Sequence, residues 1–277
     1  MYTFRTIRLT ITMSDAQKTD KEWGEMIQSK SYWDERYKKD SRNGAEVFEW
    51  YLNFEALHAF LNEVIASSES RILELGCGNS TLSNDLSLSG YKCITAIDYS
   101  KVAIEQQQKL YPGNHVTYKT VDATRMSTKL VNNSFDCVID KATLDSMMSG
   151  NEQNAISTVR EVCKVLSNGG AYIIVSHVDP DTADGEHLLY NILIKNLAWK
   201  LCKYTVDIHS SESVIDNTDE SLPHLYVIQQ YNRPNTRSHK RRCESKVYES
   251  TDSIQITSMS TLPFHIAKDL ILRRHFH

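Results

Sequence analysis

The chain has 277 residues, 40% of them apolar, which is enough to bury the core of one large α/β domain. It has no apolar run long enough to predict a membrane-spanning helix, and its six cysteines, without a CxxC pair, read as reduced and mostly buried thiols. The net charge of −4 is uneven: positions 233–277 hold nine Lys/Arg against four Asp/Glu, a local +5 that leaves −9 on the rest, and an acidic body argues against nucleic acid as the main partner.

The first twelve residues carry two arginines and no acid, a faint likeness to a mitochondrial presequence, with Met13 as an alternative start. The expected compartment is nevertheless the cytoplasm, with the mitochondrion as the lesser alternative. Positions 1–28 read as a flexible segment. A short helix is predicted over 29–40, with aromatic residues at 32, 33 and 37. A second starts near 52, its apolar face being Phe54, Leu57, Leu61 and Ile65. Then strands and helices alternate. Strand 71–75 precedes helix 80–88, and strand 93–97 precedes a helix that Ser100 caps and that runs to about 110. Strand 115–121 and strand 135–140 follow, then helix 152–167, ended by Asn168-Gly169-Gly170. Strand 171–176 leads to a helix around 186–197. The last two strands, 199–208 and 224–231, have no helix between them and read as an antiparallel pair at a sheet edge.

This order predicts a Rossmann-like, doubly wound, seven-stranded sheet in three α/β/α layers: five parallel strands plus a C-terminal antiparallel hairpin. It spans 29–232, with a basic tail expected to be disordered over 233–277, where 262–274 has the pattern of a short helix.

Doubly wound sheets bind ligands beyond the C-terminal ends of their strands. The first such end here reads "ILELGCGNS" over 72–80. Gly76 and Gly78 allow close approach of backbone to a ligand. A dinucleotide fingerprint needs a third glycine at position 81, where Thr81 stands, and no Gly-Lys-Ser/Thr follows to make a phosphate loop. Glu74 would repel phosphate and suits a ligand with a cationic amino group. Asp98, 22 residues after Gly76, ends the second strand, where an acid accepts hydrogen bonds from ribose hydroxyls. Tyr99 follows it and suits an adenine face. Asp122, before Ala123, ends the third strand; it can accept from an adenine amine or simply cap a helix. Three acids at three successive strand ends describe an adenosine with an amino-acid tail and no phosphate, which is S-adenosylmethionine. No metal-ligand cluster is visible, and neither a metal nor a membrane is expected as a partner.

The blocks "YWDERY" (32–37), "FEWY" (48–51), "LGCGNSTLS" (75–83) and "DKATLD" (140–145) resemble those of class I methyltransferases that modify lysines of translation elongation factor 1-alpha, the methyltransferase-like 13 group. The resemblance covers about 30–231 and departs at Ala142, where a glycine is usual. It implies that Trp33, Tyr37 and Trp50 close over the cofactor, attracting its sulfonium with their ring faces for roughly 0.5–2 kcal/mol. It also implies that Gly76, Asp98, Asp122, Ala123 and Lys141 complete the site. Trp33 and Trp50 as plain core residues, and Lys141 as a plain surface lysine, stay open. Asp140 and Asp145 are expected near the substrate mouth, where either can orient an incoming ammonium, and no catalytic base is assigned. The implied activity is protein-lysine N-methylation. A small-molecule methyltransferase and a non-catalytic binding protein of the same fold remain alternatives; a nicotinamide dehydrogenase is disfavoured by Thr81 and the terminal hairpin.

Overall fold

The structure, a computed structural model, describes residues 20–42, 47–180, 182–196, 201–207 and 223–230. The basic stretch 233–277, its helix-like segment 262–274 and the first nineteen residues lie outside them.

Two helices come first, α1 (Asp20–Ile27) and α2 (Lys30–Arg42), followed by α3 (Phe54–Val64). The alternating part comprises β1 (Arg71–Leu75), α4 (Leu82–Leu88), β2 (Cys93–Asp98), α5 (Lys101–Leu110), β3 (Val116–Thr120), a 3-10 turn (Ala123–Thr128), β4 (Phe135–Lys141), α6 (Thr143–Met148), α7 (Glu152–Val165) and β5 (Leu166–Ser176). After β5 come α8 (Ala183–Glu186), a π-helical stretch (His187–Ile194), β6 (Leu201–Asp207) and β7 (His224–Gln230). The strands form one sheet in the order β3-β2-β1-β4-β5-β7-β6. The first five pair in parallel, while β7 runs antiparallel to both β5 and β6. This is the expected seven-stranded arrangement.

The centre of the sheet is buried on both faces: every residue of β1 but Arg71, and every residue of β4 but Asp136, is buried. Side chains alternate between faces with a period of two. Leu73, Leu75, Val138, Tyr172 and Ile174 face one core, shared with Val159 and Val162 of α7 and Leu188 and Ile192 of the π-helical stretch. Ile72, Ile139, Ile173 and Val175 face the other, shared with Leu57 and Leu61 of α3 and Leu82 and Leu86 of α4. Ser100 caps α5 as predicted, its side chain accepting from the Ala103 amide.

Four local features differ from expectation. Helix α1 lies inside the stretch read as flexible; Ile27 at its end is buried beside Trp33 and Tyr37. Helix α7 is not ended by the Asn168-Gly169-Gly170 cap. Leu166 already has extended backbone, and the glycines instead carry an irregularity at the start of β5, where pairing jumps from Phe135↔Leu166 to Cys137↔Ala171 and Gly169 takes φ +82°. The expected helix over 186–197 divides into α8 and the π-helical stretch. The short α6 was not anticipated as a helix of its own. Cys77 and Cys137 are buried as expected, but Cys93 is exposed.

Candidate functional site

The chain reverses the direction of its connections at β1, which has β2 on one side and β4 on the other, so a crevice opens beyond its C-terminal end. A cavity of about 310 Å³ fills it. All eleven candidate residues line this one cavity: Trp33, Tyr37, Trp50, Glu74, Gly76, Gly78, Asp98, Tyr99, Asp122, Ala123 and Lys141.

The turn after β1 is shaped by glycine. Gly76 has φ +59°, and a Cβ there would stand 2.1 Å from Thr143 Oγ1. Gly78 has φ +50°, and a Cβ there would meet the Tyr37 hydroxyl at 2.8 Å. Both the backbone conformation and the crowding require glycine. Thr143 holds the turn by donating to Leu75 O at 2.9 Å.

The acids that end the strands have distinct environments. Glu74 is buried and accepts a short hydrogen bond from the Ser83 hydroxyl; burial pushes its carboxyl up to about 8. Asp98 accepts from the Gly78 amide at 3.0 Å and the Ser100 amide at 2.7 Å, yet burial still raises it to about 6. Asp122 does what an N-cap does, accepting from the Thr124 amide at 3.0 Å and hydroxyl at 2.7 Å, while also lining the cavity. Among the described residues, three lining acids face a single lining cation, Lys141, which makes the cavity hospitable to a cationic ligand.

Lys141 is not a surface lysine. Its ammonium is buried and donates to Glu49 Oε2 at 2.7 Å and to Trp50 O at 3.2 Å. Glu49 was not singled out in the sequence. It also accepts from the Ser80 hydroxyl at 2.9 Å, the Thr81 amide at 2.5 Å and the Thr81 hydroxyl at 3.0 Å. Its carboxylate therefore occupies the start of α4, where a dinucleotide fold seats pyrophosphate.

The aromatic residues serve as both core and wall. Trp33 donates to Ile27 O at 2.6 Å, stacks on Tyr37 at 5.9 Å and meets Trp50 edge-on at 6.3 Å. The guanidinium of Arg36 lies over the rings of Trp33, Phe48 and Trp50 at 5.7, 4.9 and 5.4 Å, so a cation of the chain itself already uses these rings.

Asp140 and Asp145, expected near the substrate mouth, do not line the cavity. Asp140 is fully buried, caps α6 through the Thr143 and Leu144 amides, each at 3.0 Å, and accepts from the Tyr172 hydroxyl at 3.1 Å. Asp145 is buried behind Tyr51, whose hydroxyl lies 2.9 Å from its Oδ2. Tyr51 and His177 are further residues that sequence reasoning missed. Only the "FEWY" block hinted at Glu49 and Tyr51, and no spacing rule pairs residues about a hundred positions apart. Among the described residues, no group of three or more His, Cys, Asp or Glu is placed to hold a metal.

The family model described as a methyltransferase domain matches residues 66–223. A protein of Mus musculus named EEF1A lysine methyltransferase 4 is 35% identical over 162 residues, 54% of this chain and 61% of its own length. A protein of Homo sapiens named eEF1A lysine and N-terminal methyltransferase is 33% identical over 165 residues, 57% of this chain and 22% of its own. The chain thus spans less than two thirds of the length of either relative. A structure solved in work on converting a disulfide bond into a thioacetal group during echinomycin biosynthesis aligns with TM-score 0.52 at 16% identity, over 73% of this chain and 92% of its own, a likeness of fold. The match to the domain family covers more than half of the sequence, and the crevice lies where that fold places its ligand: the chain belongs to the methyltransferase domain family.

Proposed function

We propose that the protein transfers the methyl group of S-adenosylmethionine to a lysine side chain of translation elongation factor 1-alpha. The observation that carries the cofactor is the occupation of the α4 start by Glu49 beside a cavity whose described lining residues include three acids and one lysine. Phosphate is disfavoured there and a cationic nucleoside is welcome. The names of the relatives, at 33–35% identity, support the substrate.

In this reading Asp122 and Tyr99 hold the adenine, Asp98 the ribose hydroxyls and Glu74 the cationic amino group, while the glycine turn lets the chain lie close to the tail. When bound, the sulfonium supplies an electrophilic methyl carbon with a good leaving group. What remains for the chain is to align the amine, exclude water and admit the lysine in its neutral form, since a free lysine titrates near 10.4. Lys141 and Glu49 contribute by fixing the 48–51 segment against the turn.

The test is incubation with labelled S-adenosylmethionine and purified elongation factor 1-alpha, with mapping by mass spectrometry. Label on one lysine of the factor is expected. Label confined to small molecules would favour a small-molecule methyltransferase, and cofactor binding without any transfer would favour a binding protein. We place the protein in the cytoplasm, where its proposed substrate works; a tagged chain concentrated in mitochondria would refute that placement.

A further inference from the structure

Along the sheet, the cavity-lining residues follow the strand order: Asp122 after β3, Asp98 at the end of β2, Gly76 after β1, then Lys141 and Ala142 at β4. An adenosine read by Asp122 and Asp98 leaves its reacting end toward β4, so the acceptor enters from the β4–β5 side. Tyr51 lines the cavity there. Its backbone is left-handed, φ 62°, a conformation unfavourable for a non-glycine residue and one that its surroundings hold in place.

The Tyr51 hydroxyl lies 2.9 Å from Asp145 Oδ2 and 3.1 Å from His177 Nδ1. Asp145 also accepts from the Ser176 hydroxyl at 2.7 Å and the His177 amide at 3.1 Å, and its Oδ2 is 3.0 Å from His177 Nδ1. A carboxylate only accepts hydrogen bonds, so the contact with Nδ1 assigns a proton to that nitrogen. The Tyr51 proton is then directed to Asp145 as well. The hydroxyl oxygen keeps a lone pair for a donor in the cavity, made more negative by the buried carboxylate behind it.

Resting on the proposed lysine methylation, we propose that Tyr51 is a catalytic residue that accepts an N–H of the incoming lysine amine, and that Asp145 and His177 are positioning residues that hold its hydroxyl proton away from the cavity. The lysine ammonium first gives one proton to water. With one N–H bound to Tyr51, the nitrogen lone pair points at the methyl carbon; the N–C bond forms as the S–C bond breaks, and sulfur keeps that pair as a neutral thioether. The product is a methylammonium.

Tyr51→Phe keeps the ring and removes the acceptor. Loss of a hydrogen bond to a charged or developing-charge group, about 1.5–3 kcal/mol, is roughly a tenfold to hundredfold fall in kcat/KM for elongation factor 1-alpha. The affinity for S-adenosylmethionine by calorimetry stays at the wild-type level. His177→Asn, which can still donate to Asp145, keeps most of the activity that His177→Ala loses. A second readout needs no turnover: with S-adenosylhomocysteine present, N-acetyl-lysine amide shifts the ring-nitrogen resonances of His177 saturably in the wild type and not in Tyr51→Phe. Unchanged kcat/KM in Tyr51→Phe, or a fall matched by lost cofactor affinity, overturns the catalytic role; equal loss in His177→Asn and His177→Ala overturns the positioning role. If the wild type leaves the factor unlabelled yet shows the resonance shift, the substrate reading fails and this proposal stands. If it shows neither, both fail.

Discussion

Glu74 is a buried acid at the end of β1 whose carboxyl is raised by burial from the ordinary range near 4.5 to about 8. In the ligand-free protein it is therefore mostly protonated at neutral pH. An acid with a raised folded-state pKa binds more protons folded than unfolded, so its contribution to stability falls as pH rises from about 4.5 to about 8. A cationic amino group beside it reverses that preference by favouring the anion. Binding of S-adenosylmethionine should then release a proton, and by linkage its affinity should rise with pH. The window is about pH 6.5 to 7, above the titration of Asp98 at about 6 and below that of an α-amine of pKa ~7.7–8.0. Within it the affinity gains at most about tenfold per pH unit, the limit for one released proton at 1.36 kcal/mol per unit. Calorimetry in two buffers of different ionisation enthalpy measures the release directly. Glu74→Gln should abolish it and flatten the pH dependence; an unchanged slope in that variant would remove Glu74 from the amino-acid end of the site.

The short segment 47–53 between α2 and α3 supplies Phe48, Trp50 and Tyr51 to the cavity wall. Lys141, with 4% of its side chain exposed, and Glu49, with 10%, pin this segment to β4 and to the start of α4. Breaking a buried pair leaves one charge uncompensated, typically at about 3–5 kcal/mol, whereas removing both charges is far cheaper. Lys141→Met and Glu49→Gln alone should each destabilise strongly, Lys141→Met the more because Glu49 then faces Asp85 without its cation. The double variant should recover at least half of the larger loss in urea unfolding. Additive losses would mean that the pair is not coupled. This tie explains why part of the site was hard to read from the chain. The glycine turn and Asp98 follow strands whose apolar residues mark them, and Asp122 follows the more polar β3, so strand order alone brings the three together. Glu49, Tyr51 and His177 owe their positions to contacts across the sheet ends, and neither helical nor strand periodicity encodes such contacts.

At the scale of the molecule, the sheet and its cover are separable. Among the described residues, the two cores that sandwich the sheet contain none from α1 or α2; Ile27, Trp33 and Tyr37 belong to a smaller cluster with Ala103 of α5. The sheet was legible because β1, β2, β4 and β5 announce themselves by apolar runs of strand length, and the antiparallel hairpin by the missing helix between its strands. The cover was only half legible: α2 showed its aromatic residues, but α1 is short and polar by composition, and its helical state depends on docking. Separation of this kind makes a prediction about the whole chain. Deleting residues 1–42 should leave cooperative unfolding of the remaining α/β core, seen by circular dichroism. The same deletion removes Trp33, Tyr37 and Ile27 from one side of the cavity. In the intact chain, S-adenosylmethionine at a hundred times its Kd adds about 2.7 kcal/mol of stability. For a domain of this size that is a rise in Tm of roughly 5–10 °C. The truncated chain should show almost none of that rise at the same ligand concentration. A truncated chain that unfolds cooperatively and still gains the full rise would show that the strand-end acids and the glycine turn hold the ligand unaided. The aromatic helices would then act on the incoming substrate instead of on the cofactor.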